Sequence, residues 1–135
     1  MTQAIESFVR TESFISEAGQ SSTDYRFVKL GTAAQTCIDA TDGASSNGDF
    51  VLGIRRNSPA INKPVEVITR AGDFAKLTLG SGGCSKGSYL KSSSTGAGIV
   101  ASVDGDNVGA IALEAGIEGD VVSVRLIMFP LRIHT

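Results

Sequence analysis

The segment VGAIALEAGIEGDVVSVRLIMF, residues 108–129, decides the fold class. In its second half, Val122, Val124 and Leu126 recur at every second position with polar residues between them. Successive side chains of a strand point to opposite faces, so this period of two indicates a half-buried β-strand. The Glu-Gly dipeptide at 118–119 is typical of a turn in which a positive φ costs little. The segment therefore predicts two strands, Val108–Leu113 and Val121–Phe129.

The same pattern continues upstream through a glycine-rich centre. Sixteen of the 135 residues are glycine, all between Gly19 and Gly119, whereas only 6% are aromatic and none is tryptophan. Short apolar runs separated by Asp-Gly and Asn-Gly turns are typical of all-β domains. The sequence therefore predicts one all-β domain, a small β-barrel or sandwich of about eight short strands. The remaining strands are predicted at Tyr25–Leu30, Thr36–Ala40, Phe50–Ile54, Val65–Arg70, Leu77–Leu79, Ser88–Lys91 and Ile99–Val103.

A weak internal repeat links the two halves of the chain. The run Val51–Ile54 is followed, 11 and 13 residues after its isoleucine, by two valines at 65 and 67. The run Val108–Ile111 is followed by valines at the same offsets. Either two hairpins share common residues, or two related β-units pack together in one barrel.

Both ends of the chain lack glycine and carry apolar side chains. Residues 1–19 are predicted to be an N-terminal arm, and residues 20–135 a barrel-like domain; Ile5, Phe8 and Val9 fit either a short helix or an extended segment. On this division, removing residues 1–18 leaves the domain folded. The C-terminal strand is apolar on both faces, which requires a second covering surface: another subunit or a closed core. The predicted partner-contact residues are Ile5, Phe8, Val9, Phe14, Ile127, Phe129 and Leu131.

No assembled catalytic or metal site is predicted. The one histidine, His134, is next to the C-terminal residue of the sequence, where a catalytic base is poorly held. Cys37 and Cys84 are predicted to be free thiols, and with His134 they do not supply a zinc cluster. Residues 80–86 depart from a phosphate-binding loop because glycine follows Lys86 and a strand comes next. No cofactor is expected.

Charge and hydropathy limit the classes of partner that are expected. The chain carries 14 acidic and 12 basic groups, without the basic stripe of a nucleic-acid-binding protein, so no nucleic-acid partner is expected. The densest basic spot, Arg55-Arg56, is interpreted as a solvated loop. Asp104 and Asp106 are ordinary turn residues or the start of a cation site, and the sequence leaves that open. No segment is long enough to cross a bilayer and no secretory signal is present, so a membrane partner is not expected either.

With these residues in place, the chain resembles the small capsid decoration (cement) proteins of tailed phages. The resemblance covers roughly residues 14–126 and includes Phe50-Val-Leu-Gly-Ile54, Val65-Glu-Val67 and Gly87-Ser-Tyr-Leu90. Its most recognisable part is the closing pair, V-G-x-A then G-D-x-x-x-V-x-L. Here the first half reads Val108-Gly-Ala-Ile-Ala112, with isoleucine at the fourth position, and the second half runs from Gly119 to Leu126.

The resemblance implies a structural virion protein without enzymatic activity. It implies a homotrimer on the outer capsid surface that stabilises contacts between major capsid protein subunits, made in the host cytoplasm and located in the virion. Two alternatives from other classes are a carbohydrate-binding or adhesion module of a virion and a small trimeric β-fold nucleotide hydrolase. Low aromatic content argues against the first, and the missing carboxylate and phosphate motifs argue against the second.

Overall fold

The computed structural model describes residues 11–18, 24–44 and 50–131, and within these ranges all regular secondary structure is β. The all-β prediction is therefore confirmed, with ten strands where about eight were expected. Each of the nine segments predicted above overlaps one observed strand, and the additional strand lies in the segment before Gly19. The strands are β1 Glu12–Ser16, β2 Arg26–Leu30, β3 Thr36–Asp39, β4 Gly53–Arg55, β5 Pro64–Ile68, β6 Phe74–Thr78, β7 Tyr89–Ser92, β8 Gly98–Val100, β9 Asn107–Ala112 and β10 Val121–Pro130.

The first five strands form a closed barrel, which we call unit 1. Its order is β1-β3-β2-β4-β5, and β1 closes it by pairing parallel to β3 and antiparallel to β5. β1 falls inside the segment predicted to be an arm. Its Phe14 is partly buried and packs in the barrel interior against the cluster of Val28, Cys37, Val65 and Val67. Residues 12–16 are thus part of the barrel wall.

The last five strands form a second sheet, unit 2, in the order β6-β10-β9-β7-β8. Its two edge strands meet at one end, because Leu79, just after β6, forms a parallel bridge with Gly98 of β8. The Leu79 N–H also donates to the Asp120 carbonyl, and the Gly80 N–H donates to the Gly98 carbonyl, both over 2.8 Å. Unit 2 is therefore closed by a single bridge at the position where unit 1 is closed by a strand pair.

The two units share one topology. Each consists of five strands in the same order, with the first strand between the third and the fifth and parallel to the third. The registers also agree: Ile54 pairs with Ile68 in unit 1 and Ile111 pairs with Arg125 in unit 2, so the partner lies 14 residues further along in both hairpins. The weak sequence repeat therefore reflects two related β-units. They form a barrel and a second, similarly ordered sheet, not one barrel.

The main core lies between the units. Phe27, Ile54 and Ile68 from the outside of the barrel pack against side chains from all but one strand of unit 2, including Leu77, Leu90 and the alternating apolar residues of β10. Gly109 makes this approach possible, because a Cβ at that position would lie 2.5 Å from Cε1 of Phe27. Burial of a shared apolar surface holds the two units together.

The interpretation of Arg55-Arg56 as a solvated loop was wrong. Arg55 belongs to β4 and is completely buried. Its guanidinium donates to both carboxylate oxygens of Asp39 on β3, over 2.7 Å and 3.2 Å. The third nitrogen, Nη1, donates to the Asn57 carbonyl and to Ser58 Oγ. A buried guanidinium needs a charge partner and hydrogen-bonded donors, and these four bonds supply the partner and engage all three nitrogens.

Candidate interaction surface

An apolar cleft of about 110 Å³ lies where the two units meet near the end of β10. One wall is formed by Phe50 and Val51, which precede β4, and the other by β10 residues Met128, Phe129 and Pro130. Phe50 is 82% exposed, and Met128 and Phe129 are 37% and 38% exposed. Large apolar side chains grouped at a surface are typical of protein–protein contact sites.

An aromatic pair extends this surface onto β7. The rings of Tyr89 and Phe129 meet edge to face, with centroids 5.4 Å apart and planes at 88°. Tyr89 is 40% exposed, so the pair presents ring area to solvent. Such rings give large contact area at low entropic cost, because only two torsions per side chain must be fixed.

A β-bulge in β10 lies next to the two exposed side chains of that strand, Met128 and Phe129. The register of β10 against β9 shifts between Leu126 and Phe129, so one extra residue is accommodated on β10. Leu126 points into the main core and is fully buried, whereas Met128 and Phe129 both reach the surface. Regular alternation would place Leu126 and Met128 on the same face, and the bulge breaks it.

The loop after β8 fixes the end of β10. Asp106 is fully buried, and its Oδ2 accepts hydrogen bonds from Lys91 Nζ and from the N–H groups of Ser102 and Val103, all within 3.1 Å. Burial by itself raises the pKa of the Asp106 carboxyl, but these donors outweigh it and hold that pKa below its usual value. The Leu131 N–H donates to the Asp106 carbonyl over 2.8 Å, which ties the chain after β10 to this loop.

The predicted contact residues occupy different environments. Ile5, Phe8 and Val9 lie outside the described residues. Phe14 faces the barrel interior, Leu131 is buried with Ala101 and Val108, and Ile127 packs against that small cluster. Phe129 is the member of the predicted set that lines the cleft. Sequence reasoning missed Phe50, Tyr89 and Met128, although Phe50 comes two residues after the Asn47-Gly48 dipeptide, a signal for a turn at the surface.

The other residues considered for catalysis or metal binding have structural roles. Within the described ranges, no group of three or more His, Cys, Asp or Glu side chains is placed to hold a metal ion. Asp106 is engaged by Lys91 and two backbone N–H groups, so it organises a loop. Residues 80–86 form turns that lead towards β7. Asp39 is paired with Arg55.

The two cysteines are free thiols, as predicted. Cys37 is buried in the barrel, and burial, assisted by the nearby Asp39 charge, raises the pKa of its thiol to about 11. Burial also raises the pKa of the Cys84 thiol. Raised pKa values are the opposite of what a reactive cysteine needs, because the thiolate is the nucleophile.

No helix in the described ranges is long and apolar enough to cross a membrane.

Comparison with known proteins finds similarity in structure and none in sequence. No protein-family model matches the chain, and no curated protein matches it. Among solved structures, the chain is similar to the N base of the head fiber protein gp8.5 of bacteriophage phi29, with a TM-score of 0.63 and 14% sequence identity. The match covers 92% of this chain and 98% of the phi29 N-base chain, so the two chains share a fold over nearly all of the compared residues.

Proposed function

We propose that the chain is a structural protein of a phage particle that functions by binding neighbouring virion proteins. The observation that carries the proposal is the full-length similarity in fold to the base of a phage head fiber. Fold similarity alone does not define function, because one fold can host many functions. The surface gives a second line of support, because exposed apolar and aromatic side chains line a cleft that is suited to binding another protein.

In its finer form, the proposal is a decoration protein on the outer capsid surface. We propose that it assembles as a homotrimer and stabilises contacts between major capsid protein subunits. A protein that binds the expanded shell and not its precursor stabilises the expanded state by linkage. Repetition of the contact over many symmetric sites adds avidity, so each contact needs only modest affinity. This form requires no catalytic residue, and Asp39, Asp106 and Cys37 all have structural roles instead.

Two successive measurements test the proposal. Light scattering after size-exclusion chromatography gives the oligomeric state of the purified chain, and a trimer is expected. Co-sedimentation with particles of the phage that encodes the chain then gives its partner. Expanded shells are expected to retain the protein, and unexpanded precursor shells serve as the matched control. A protein that stays monomeric and sediments with neither shell contradicts the proposal, and equal binding to both shells contradicts the stabilising role.

A further inference from the structure

Unit 1 packs on unit 2 through a row of side chains on the outside of its barrel. Phe27, Ile54 and Ile68 lie side by side on β2, β4 and β5, because Phe27 is paired with Ile54 and Ile54 with Ile68. All three are buried in the main core between the units. The backbone takes part as well, since the Phe27 N–H donates to the carbonyl of Gly96, in the turn between β7 and β8, over 2.8 Å. The outer row of unit 1 is thus a surface that binds another β-unit of the same fold.

Unit 2 carries the equivalent row. Its strands β7, β9 and β10 correspond to β2, β4 and β5, because the strand order is the same in both units. On these strands Tyr89 is paired with Ile111 and Ile111 with Arg125, as Phe27 is with Ile54 and Ile54 with Ile68. Phe74 of β6 lies opposite Arg125 and extends the row. We call Tyr89, Ile111, Arg125 and Phe74, which cross four neighbouring strands, the outer row of unit 2.

The outer row of unit 2 lies at the molecular surface. Leu90, Ala110 and Val124, each next in sequence to a residue of the row, belong to the main core. Because successive side chains of a strand point to opposite faces, the row is on the other face of the sheet. Tyr89 and Phe74 are each 40% exposed. A second protein can therefore cover this row without displacing unit 1.

The side chains of the row are held in place and have the composition of a binding surface. The guanidinium carbon of Arg125 lies 6.0 Å from the centre of the Phe74 ring, and Arg125 Nε donates to the Gly72 carbonyl over 3.1 Å. The Tyr89 ring makes its edge contact with Phe129. Tyrosine and arginine are enriched among the residues that dominate binding energy at interfaces. Side chains that are ordered in advance also lose less entropy on binding.

An acidic turn on the same chain complements this basic, aromatic row. The segment between β9 and β10 exposes Glu114, Glu118 and Asp120. Ile117, in the middle of the segment, is 72% exposed. The turn therefore presents one large apolar side chain among carboxylates, whereas the row presents aromatic rings beside the guanidinium of Arg125. Opposite charges across a contact fix its register and disfavour wrong partners.

We propose that the outer row of unit 2 docks a second copy of this chain, with residues 114–120 of that copy as the contacting segment. The occupant follows from two observations. A β-unit of this fold already covers the equivalent row of unit 1, and the acidic turn matches the row of unit 2 in charge. A contact between two different surfaces of identical chains builds closed rings, of which a trimer is one. The inference rests on the self-association in the proposed function and names the surfaces that produce it.

Charge reversal tests the contact through the oligomeric state. Arg125→Glu brings like charges together, so the concentration at which half of the chains are assembled, measured by analytical ultracentrifugation, is expected to rise about ten-fold or more. Glu118→Arg should act in the same direction. The chain that carries both substitutions should assemble better than either single variant, which separates a lost contact from a misfolded chain. Lys63→Glu, at an exposed position of unit 1, changes the net charge as much as Arg125→Glu and should leave assembly unchanged.

Photo-crosslinking locates the docked segment. Tyr89 is replaced by p-benzoylphenylalanine in the full chain, and products of dimer mass are mapped by tandem mass spectrometry. The expected crosslinks join residue 89 of one copy to residues 114–120 of another. The same crosslinker at Leu30, a strand residue of unit 1 that is 64% exposed, is the control and should not reach that turn.

The outcomes separate this inference from the proposed function. Dimer-mass crosslinks to a different surface, or unchanged assembly in both single variants while the native chain forms trimers, would overturn the inference and leave the proposed function standing. A native chain that stays monomeric at every concentration and sediments with no shell would overturn both. Variants that assemble normally but no longer sediment with expanded shells would assign the outer row to a capsid protein, which also overturns docking of a second copy.

Discussion

At the residue scale, the Arg55–Asp39 pair is the main polar feature of the barrel. Arg55 is completely buried, Asp39 is close to buried, and Ser58, which accepts from Arg55, donates to Asp24 Oδ1 over 2.5 Å. The network links β3 and β4 to the loops at 24–25 and 57–58. Removing one partner of a buried ion pair is costly because the other charge remains desolvated.

The expected effect of Arg55→Ala is a loss of about 3–5 kcal/mol in the free energy of unfolding. Urea denaturation followed by circular dichroism measures it as a lower midpoint at similar slope. Arg70→Ala is the matched control, because Arg70 is exposed, and its effect should stay within about 0.5 kcal/mol. Equal midpoints for the two variants would show that the network contributes nothing to stability.

Cys37 gives the stability of the protein a defined alkaline dependence. Its thiol has a pKa of about 11 in the folded chain against an ordinary value of 9.0, so folding favours the protonated form. The stabilisation is complete below pH 9 and is lost as the pH rises towards 11, by roughly 2–3 kcal/mol. Urea midpoints of the native chain and of Cys37→Ala, measured from pH 8 to 11, should converge as the pH rises. Parallel curves would contradict a buried, neutral thiol.

The roles of individual residues were hard to predict from the sequence, because they depend on which strands lie side by side in the fold. Asp39 and Arg55 are 16 positions apart, and only the antiparallel placement of β3 and β4 on either side of β2 brings them together. Without that pairing, adjacent arginines predict a solvated face. Phe129 was identified from local hydrophobicity alone, whereas the exposure of Phe50 depends on where β5 ends.

At the element scale, β1 shows why a strand can escape detection. Its sequence ESFIS has weak alternation, and its partners lie 21 or more residues away in β3 and about 50 residues away in β5. By contrast, β5, β9 and β10 carry clear alternation and glycine turns, and the predicted strands coincide with them closely. The strand predicted from Phe50 begins instead at Gly53, and its pairing with β5 ends where Ile54 lies opposite Ile68, the last residue of β5.

Two truncations distinguish the barrel strand from the preceding segment. Removal of residues 1–10 retains all ten strands, so a cooperative thermal transition by circular dichroism is expected to remain. Removal of residues 1–18 deletes β1, opens the edges of β3 and β5 and takes Phe14 out of the barrel interior. That truncation is expected to abolish the transition, unlike the expectation from sequence that residues 1–18 are dispensable. A folded 19–135 chain would show that β1 is not needed to close the barrel.

At the scale of the whole molecule, the largest apolar core is shared by the two units. The cluster between them includes Phe27 from unit 1 and Leu77, Leu90 and Leu126 from unit 2, whereas the cluster inside the barrel is small. A unit separated from its partner would expose one face of that core to water. The duplication visible in strand order and register therefore does not produce two independent domains.

A single unfolding transition should follow from this shared core. Tyr25 lies in unit 1 and Tyr89 in unit 2, so Tyr89→Phe and Tyr25→Phe each leave one fluorescent reporter, and their urea midpoints are expected to coincide. Gly109→Ala should lower both midpoints together, because the new Cβ meets the ring of Phe27 across the unit boundary. The expected loss in the free energy of unfolding is about 1–3 kcal/mol. Adding Phe27→Leu should recover part of that loss, since it removes the clashing ring atoms. Separate midpoints for the two reporters, or a Gly109→Ala effect confined to Tyr89, would mean that the units unfold independently.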